Sequence, residues 1–209
     1  MERVKPPTSR EKVYALLFDH TPISVPEISR ITGMNYKYVF QVVRTLRKEN
    51  YLTVVPGGKL MILDRKGLIF RWAKDKEIIL NSLSPVTMRL IPDYDLRDLV
   101  LFSGNSALWL LGRVISPAGG ILYASERTFK ELMKFRDPEG YPFKVYIYDD
   151  FYFKIRKELN GYYIPGWGVI LADMLVQGTY TRLFDDVFET VVSTIEGEKN
   201  EGGLSSRRI

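Results

Sequence analysis

The chain contains no cysteine and a single histidine, His20. The first absence excludes disulfides, thiolate metal sites and cysteine nucleophiles. The second leaves any histidine metal cluster or Ser-His-Asp triad dependent on one ring at the end of an expected helix. A histidine near the last carbonyls is an ordinary way for a helix to end. No apolar run approaches the ~20 residues a membrane helix needs. The opening stretch, Met1 to Arg10, is polar, holds two prolines and lacks the apolar core of an export signal. A cytoplasmic protein with no membrane partner is therefore expected. What remains is an ordinary globular balance, 45% hydrophobic and 26% charged over 209 residues, enough for one large domain or two small ones.

Charge is unevenly spread. Residues 1–76 hold 15 Lys and Arg against 7 Asp and Glu, a balance of +8, whereas residues 77–209 hold 15 against 18, a balance of −3. A basic first third on a mildly acidic remainder is the pattern of a nucleic-acid-binding module joined to something else. A basic solvated face without a partner gives the same count.

The order of elements sharpens this. Ser9 to His20 carries Val13, Leu16 and Leu17 at helical spacing, with Ser9 in position to cap. After Thr21–Pro22, a short helix with Val25, Ile28 and Ile31 begins near Ser24, with Pro26 in its first turn, where a missing N–H does no harm. Thr32–Gly33–Met34 ends it. Asn35 caps a third helix reaching about Asn50, with Tyr36, Val39, Phe40, Val43 and Leu46 on one stripe. Two strands follow, Tyr51 to Val55 and Leu60 to Leu63, joined by Pro56–Gly57–Gly58. Helix, helix, tight turn, helix and hairpin is the winged helix-turn-helix order. A three-helix scaffold that binds protein would share it.

The third helix carries the DNA-binding signal. Lys37, Gln41, Arg44 and Lys48 share the face opposite the apolar stripe, and Tyr38 and Thr45 lie beside them. Lysine and arginine neutralise phosphates. Glutamine pairs with adenine and arginine with guanine through two hydrogen bonds. No acid interrupts this face before Glu49. Lys59, at the expected hairpin tip, suits a wing touching the backbone or the minor groove. The candidate DNA-binding residues are thus Lys37, Tyr38, Gln41, Arg44, Thr45, Lys48 and Lys59. No catalytic or metal-ligating residue and no cofactor is expected.

Residues 1–67 are expected to form this DNA-binding domain, and 68–85 a connecting helix that can also serve a homodimer. Residues 86–195 are expected to form an α/β domain, and 196–209 a disordered tail. Within the α/β domain, strands are expected at Leu99–Phe102, Ile121–Ala124 and Phe143–Tyr148. Helices are expected at Ala107–Leu111, from Ser125 to Phe135, at Val169–Gln177 and at Thr181–Ile195. A further strand and hairpin fall between Phe151 and Tyr163.

The run Leu101–Phe102–Ser103–Gly104–Asn105–Ser106–Ala107–Leu108–Trp109–Leu110–Leu111–Gly112 resembles the opening of nucleotidyltransferase-fold domains. In active members the turn holds nucleotide phosphates and the next strand supplies two alternating carboxylates for magnesium. Here that strand, Ile121 to Ser125, has none. Glu126 is an isolated acid, and the adjacent Asp149 and Asp150 would point to opposite faces of a strand. Two-metal phosphoryl transfer needs acidic ligands. The fold class read from the sequence is α+β: an N-terminal winged helix-turn-helix followed by a nucleotidyltransferase-like α/β domain lacking the metal-binding carboxylates.

With the late segment Trp167–Gly168–Val169–Ile170–Leu171–Ala172–Asp173–Met174–Leu175, the chain resembles the AbiEi family over residues 9–195, the antitoxins of type IV toxin–antitoxin systems. The resemblance implies a transcriptional repressor that binds double-stranded DNA upstream of its own operon. It also implies a nucleotidyltransferase-like toxin as functional partner, and no enzymatic activity. The net acidic residues 77–209 depart from the basic C-terminal surface of many members. The alternative is a winged-helix regulator whose α/β domain senses a small molecule in a pocket around Gly104.

Overall fold

The computed structural model of the chain describes residues 9–179 and 182–205. It is a mixed α and β protein built on one continuous apolar core.

The N-terminal elements are α1 (Ser9–His20), β1 (Ile23–Ser24), α2 (Val25–Thr32), α3 (Tyr36–Lys48), β2 (Leu52–Val55) and β3 (Lys59–Ile62). Ser9 is already helical and does not act as the cap. Ser24 caps α2 in a reciprocal box with Glu27: the Ser24 N–H donates to the Glu27 carboxylate at 2.7 Å, and the Glu27 N–H to Ser24 Oγ at 3.4 Å. Asn35 Oδ1 accepts the Lys37 N–H at 2.8 Å and starts α3. The hairpin forms where expected, and a third strand joins it. β1 pairs antiparallel with β3, giving a three-stranded sheet of order β1-β3-β2.

The stripe expected on α3 needs correction. Val39, Val42, Val43 and Leu46 are buried, whereas Tyr36 and Phe40 are 52% and 44% exposed. Val42, on the far side of Val39, completes the buried face and turns the two aromatics onto its flank. Ile31 of α2 is likewise exposed while Val25 and Ile28 are buried.

In α1, every residue from Val13 to Asp19 is buried. One side meets α2, α3 and β3; the other meets α4 (Arg65–Ser82) and α8 (Trp167–Val176). A helix clamped between two layers has no solvent face, so its apolar residues need not follow a single stripe. The expected connecting helix is α4, capped by Asp64 and packed along α8. Gly168 makes this packing tight. A Cβ there would lie 2.8 Å from the Trp72 ring and 2.9 Å from Phe18.

The remaining elements are β4 (Val86–Leu90), β5 (Val100–Ser103), α5 (Asn105–Leu110), β6 (Ile121–Ala124), α6 (Glu126–Leu132), β7 (Tyr141–Ile147), α7 (Phe151–Lys154), β8 (Lys157–Leu159), β9 (Tyr162–Ile164) and α9 (Arg182–Ser205). The four-stranded sheet has the order β4-β7-β6-β5; β6 runs parallel to β7, and the edge strands are antiparallel to their neighbours. β4 is an addition to the expected elements. Where a strand was expected after Phe151, the chain forms the single turn α7, and then the hairpin of β8 and β9.

The tail expected to be disordered from residue 196 is helical as far as Ser205, and 206–209 lie outside the described residues. Ile195, at the expected end, is fully buried, and beyond it Glu198 pairs with Lys157 at 2.5 Å.

Candidate nucleic-acid interface

All seven candidate DNA-binding residues are exposed. Lys37, Gln41, Arg44 and Lys48 follow one another at helical spacing on the outer face of α3, with Tyr38 and Thr45 on its edge. Among the described residues, no carboxylate lies within salt-bridge distance of Lys37, Arg44, Lys48 or Lys59. Glu49, which ends α3, turns instead to Arg71 of α4 at 3.4 Å. The Thr45 hydroxyl donates to the Gln41 carbonyl at 3.1 Å, so only its lone pairs face outward. Lys59 is not at the hairpin tip. It is the first residue of β3, opposite Val55 and Ser24, and residues 56–58 form the tip. Arg47, absent from the expected set, is exposed one turn beyond Val43 and extends the basic surface.

A second concentration of polar chemistry is entirely internal. Lys76 of α4 is fully buried, its ammonium 3.2 Å from Glu11 Oε1 of α1 and 3.3 Å from Asp173 Oδ1 of α8. The rings of Trp72, Tyr123, Tyr148 and Tyr152 surround it at 5.1 to 5.9 Å. Glu11 accepts hydrogen bonds from Trp72 Nε1 and from the Tyr148 hydroxyl. Asp173 accepts from Ser103 Oγ at 2.5 Å and from the Tyr123 hydroxyl at 2.8 Å. Burial opposes the Lys76 charge, but Asp173 and Glu11 outweigh it and hold the lysine above its usual pKa. Burial pushes the Asp173 carboxyl up, against the pull of Lys76, Ser103 and Tyr123. This network ties α1, the first helix of the N-terminal unit, to α4, the large sheet and α8. The sequence signal for it was a lone acid, Asp173, inside the apolar run Val169–Leu175.

The turn before α5 is filled. Gln177 Oε1 accepts the Asn105 N–H at 2.8 Å, and Gln177 Nε2 donates to the Gly119 carbonyl at 2.8 Å. A Cβ at Gly104 would lie 1.9 Å from Gln177 Oε1. The pocket expected around Gly104 is therefore occupied by the protein's own side chain. Tyr123 of β6 points at Asp173, and Glu126 is exposed at the start of α6. Asp149 and Asp150 are not in a strand. They precede α7, where Asp149 pairs with Lys12 at 2.5 Å and accepts the Phe151 N–H. Among the described residues, no cluster of three or more metal-ligating side chains occurs, and no helix is long and apolar enough to cross a membrane.

Compared with models of protein families, with curated proteins and with solved structures, the chain has no match.

Proposed function

We propose that this chain is a sequence-specific double-stranded DNA-binding protein that represses transcription, with α2 and α3 as a helix-turn-helix and the β2–β3 hairpin as its wing. The observation that carries this reading is the outer face of α3. Four side chains in series, Lys37, Gln41, Arg44 and Lys48, are exposed, and among the described residues the three cations pair with no carboxylate. Such a face repels cations and proteins of like charge, and its spacing fits a helix laid in a major groove. Lys37, Lys48 and Lys59 serve phosphates; Gln41 and Arg44 serve base edges.

The larger α/β part is proposed to be a nucleotidyltransferase-like scaffold without transferase activity. In support, β6 carries no carboxylate, and Gln177 fills the turn that would hold phosphates. The AbiEi resemblance adds the proposal of an autoregulating antitoxin whose functional partner is a nucleotidyltransferase-like toxin, acting in the cytoplasm. A homodimer reading two half-sites fits the same proposal.

Fluorescence anisotropy of labelled duplexes, the native upstream region among them, tests the central claim across a salt series. The logarithm of affinity should fall against the logarithm of salt by about 0.9 for each phosphate neutralised. Binding that stays flat from low to moderate salt overturns the reading. Incubation with magnesium and labelled nucleoside triphosphates should label neither RNA nor protein acceptors.

A further inference from the structure

The basic-face reading leaves Tyr36 and Phe40 without a role. They are stacked on one another, ring centroids 6.2 Å apart and planes 17° apart, and about half of each side chain is open to water. Packing does not require them, because Val39, Val42, Val43 and Leu46 already seat α3 on the core. Their place on the helix is informative. Tyr36, Phe40 and Arg44 are four residues apart, so the aromatic ridge runs directly into the basic one and Arg44 belongs to both. Arg47 follows Phe40 by two turns along the same flank.

A partner for this ridge must satisfy two conditions together. It must be anionic, since Lys37, Arg44 and Arg47 share α3 with the rings and that helix carries no acid from Tyr36 to Lys48. It must also offer apolar atoms within reach of the same helix face. In the major groove of duplex DNA, the methyl group presented among the base edges is the 5-methyl of thymine.

We propose that Tyr36 and Phe40 form a thymine-methyl reader, placed next to the base contacted by Arg44, so that the preferred site contains thymine at that step. This rests on the duplex-binding reading above. The test begins with selection from a pool of random duplexes by the full chain. The enriched duplex is then synthesised with deoxyuridine in place of thymidine, one position at a time, which removes a methyl and changes no hydrogen bond. At one or two positions the wild type should lose affinity about fourfold per methyl, the value of one buried methylene. F40A and the double variant Y36A/F40A should bind the thymidine and deoxyuridine forms alike, with unchanged melting temperature. F40L, which keeps an apolar side chain, should retain part of the preference. Equal binding of the two forms by the wild type overturns the thymine reader and leaves duplex recognition standing. Failure to enrich any duplex overturns both. Tighter binding to single strands than to duplex, or a dimer in solution that F40A dissolves, assigns the aromatic pair elsewhere and also overturns the proposal.

Discussion

Replacing Lys76 by methionine isolates what the buried ammonium does. Methionine is close in length and apolar shape, so the contacts with Trp72, Tyr123, Tyr148 and Tyr152 persist in outline. The charge is lost. Glu11 and Asp173, each fully buried, then face a space with no cation. Removing one partner of a buried ion pair costs about 3–5 kcal/mol. At roughly 2–4 °C per kcal/mol for a chain of this size, melting should fall by about 6–20 °C near neutral pH. The sign of the pH dependence follows from Asp173. Burial already raises its carboxyl, and Lys76 is what pulls it back down, so the variant raises it further. A carboxyl whose folded pKa exceeds the unfolded value contributes stability that is complete below about pH 3.9 and is lost as pH rises through the folded pKa. The deficit of K76M should therefore be small near pH 4 and grow toward pH 8. K76M/D173N should recover part of the loss at pH 7.5, because asparagine can still accept from Tyr123 and Ser103 without a charge. Thermal unfolding followed by circular dichroism from pH 4 to 8 measures all of this. A variant that melts within about 2 °C of wild type at pH 7.5, or a deficit independent of pH, would refute the reasoning.

Gln41→Ala and Arg44→Ala should each lower operator affinity by roughly 1–3 kcal/mol and relax discrimination at one base pair, whereas Lys59→Ala should weaken all duplexes alike. Competition binding with single-base operator variants checks this, and unchanged operator preference in both helix variants would move the recognition surface off α3. Asp19 is buried at the start of α8 and accepts the Trp167 and Gly168 N–H groups at 3.0 Å each, yet burial outweighs those bonds and holds its carboxyl at about 6. Its stabilising contribution is complete below about pH 3.9 and lost through pH 6, a change of about 3 kcal/mol. Denaturant unfolding of wild type against D19N between pH 4 and 7 should show the wild type losing ground as pH rises. Gly104→Ala must displace Gln177 and force a side chain to a φ of +55°. It should destabilise the fold by roughly 1–3 kcal/mol, whereas Gln177→Ala alone should cost less, both read from the same unfolding curves.

Much of the local structure is written in short stretches of chain. Ser24 with Glu27, Asn35, Pro56–Gly57–Gly58 and Ser125 each place a cap or turn through hydrogen bonds to residues two or three positions away. Such signals are legible because they need no tertiary partner. The exposure of Lys37, Gln41, Arg44 and Lys48 was legible for a related reason, since helical spacing alone sets them apart from the apolar positions. Three matters were decided only by tertiary packing. Tyr36 and Phe40 look like core residues by composition, and which flank of α3 meets the core depends on how Val42 seats against the neighbouring helices. The burial of α1 on both sides depends on α8, far along the chain. Glu11 and Lys76 each read alone as an ordinary charged residue on a helix, and only Asp173 stands out, as a lone acid in an apolar run. Only the convergence of α1, α4 and α8 takes all three out of water, and there a single ammonium between two carboxylates becomes the condition for burying any of them.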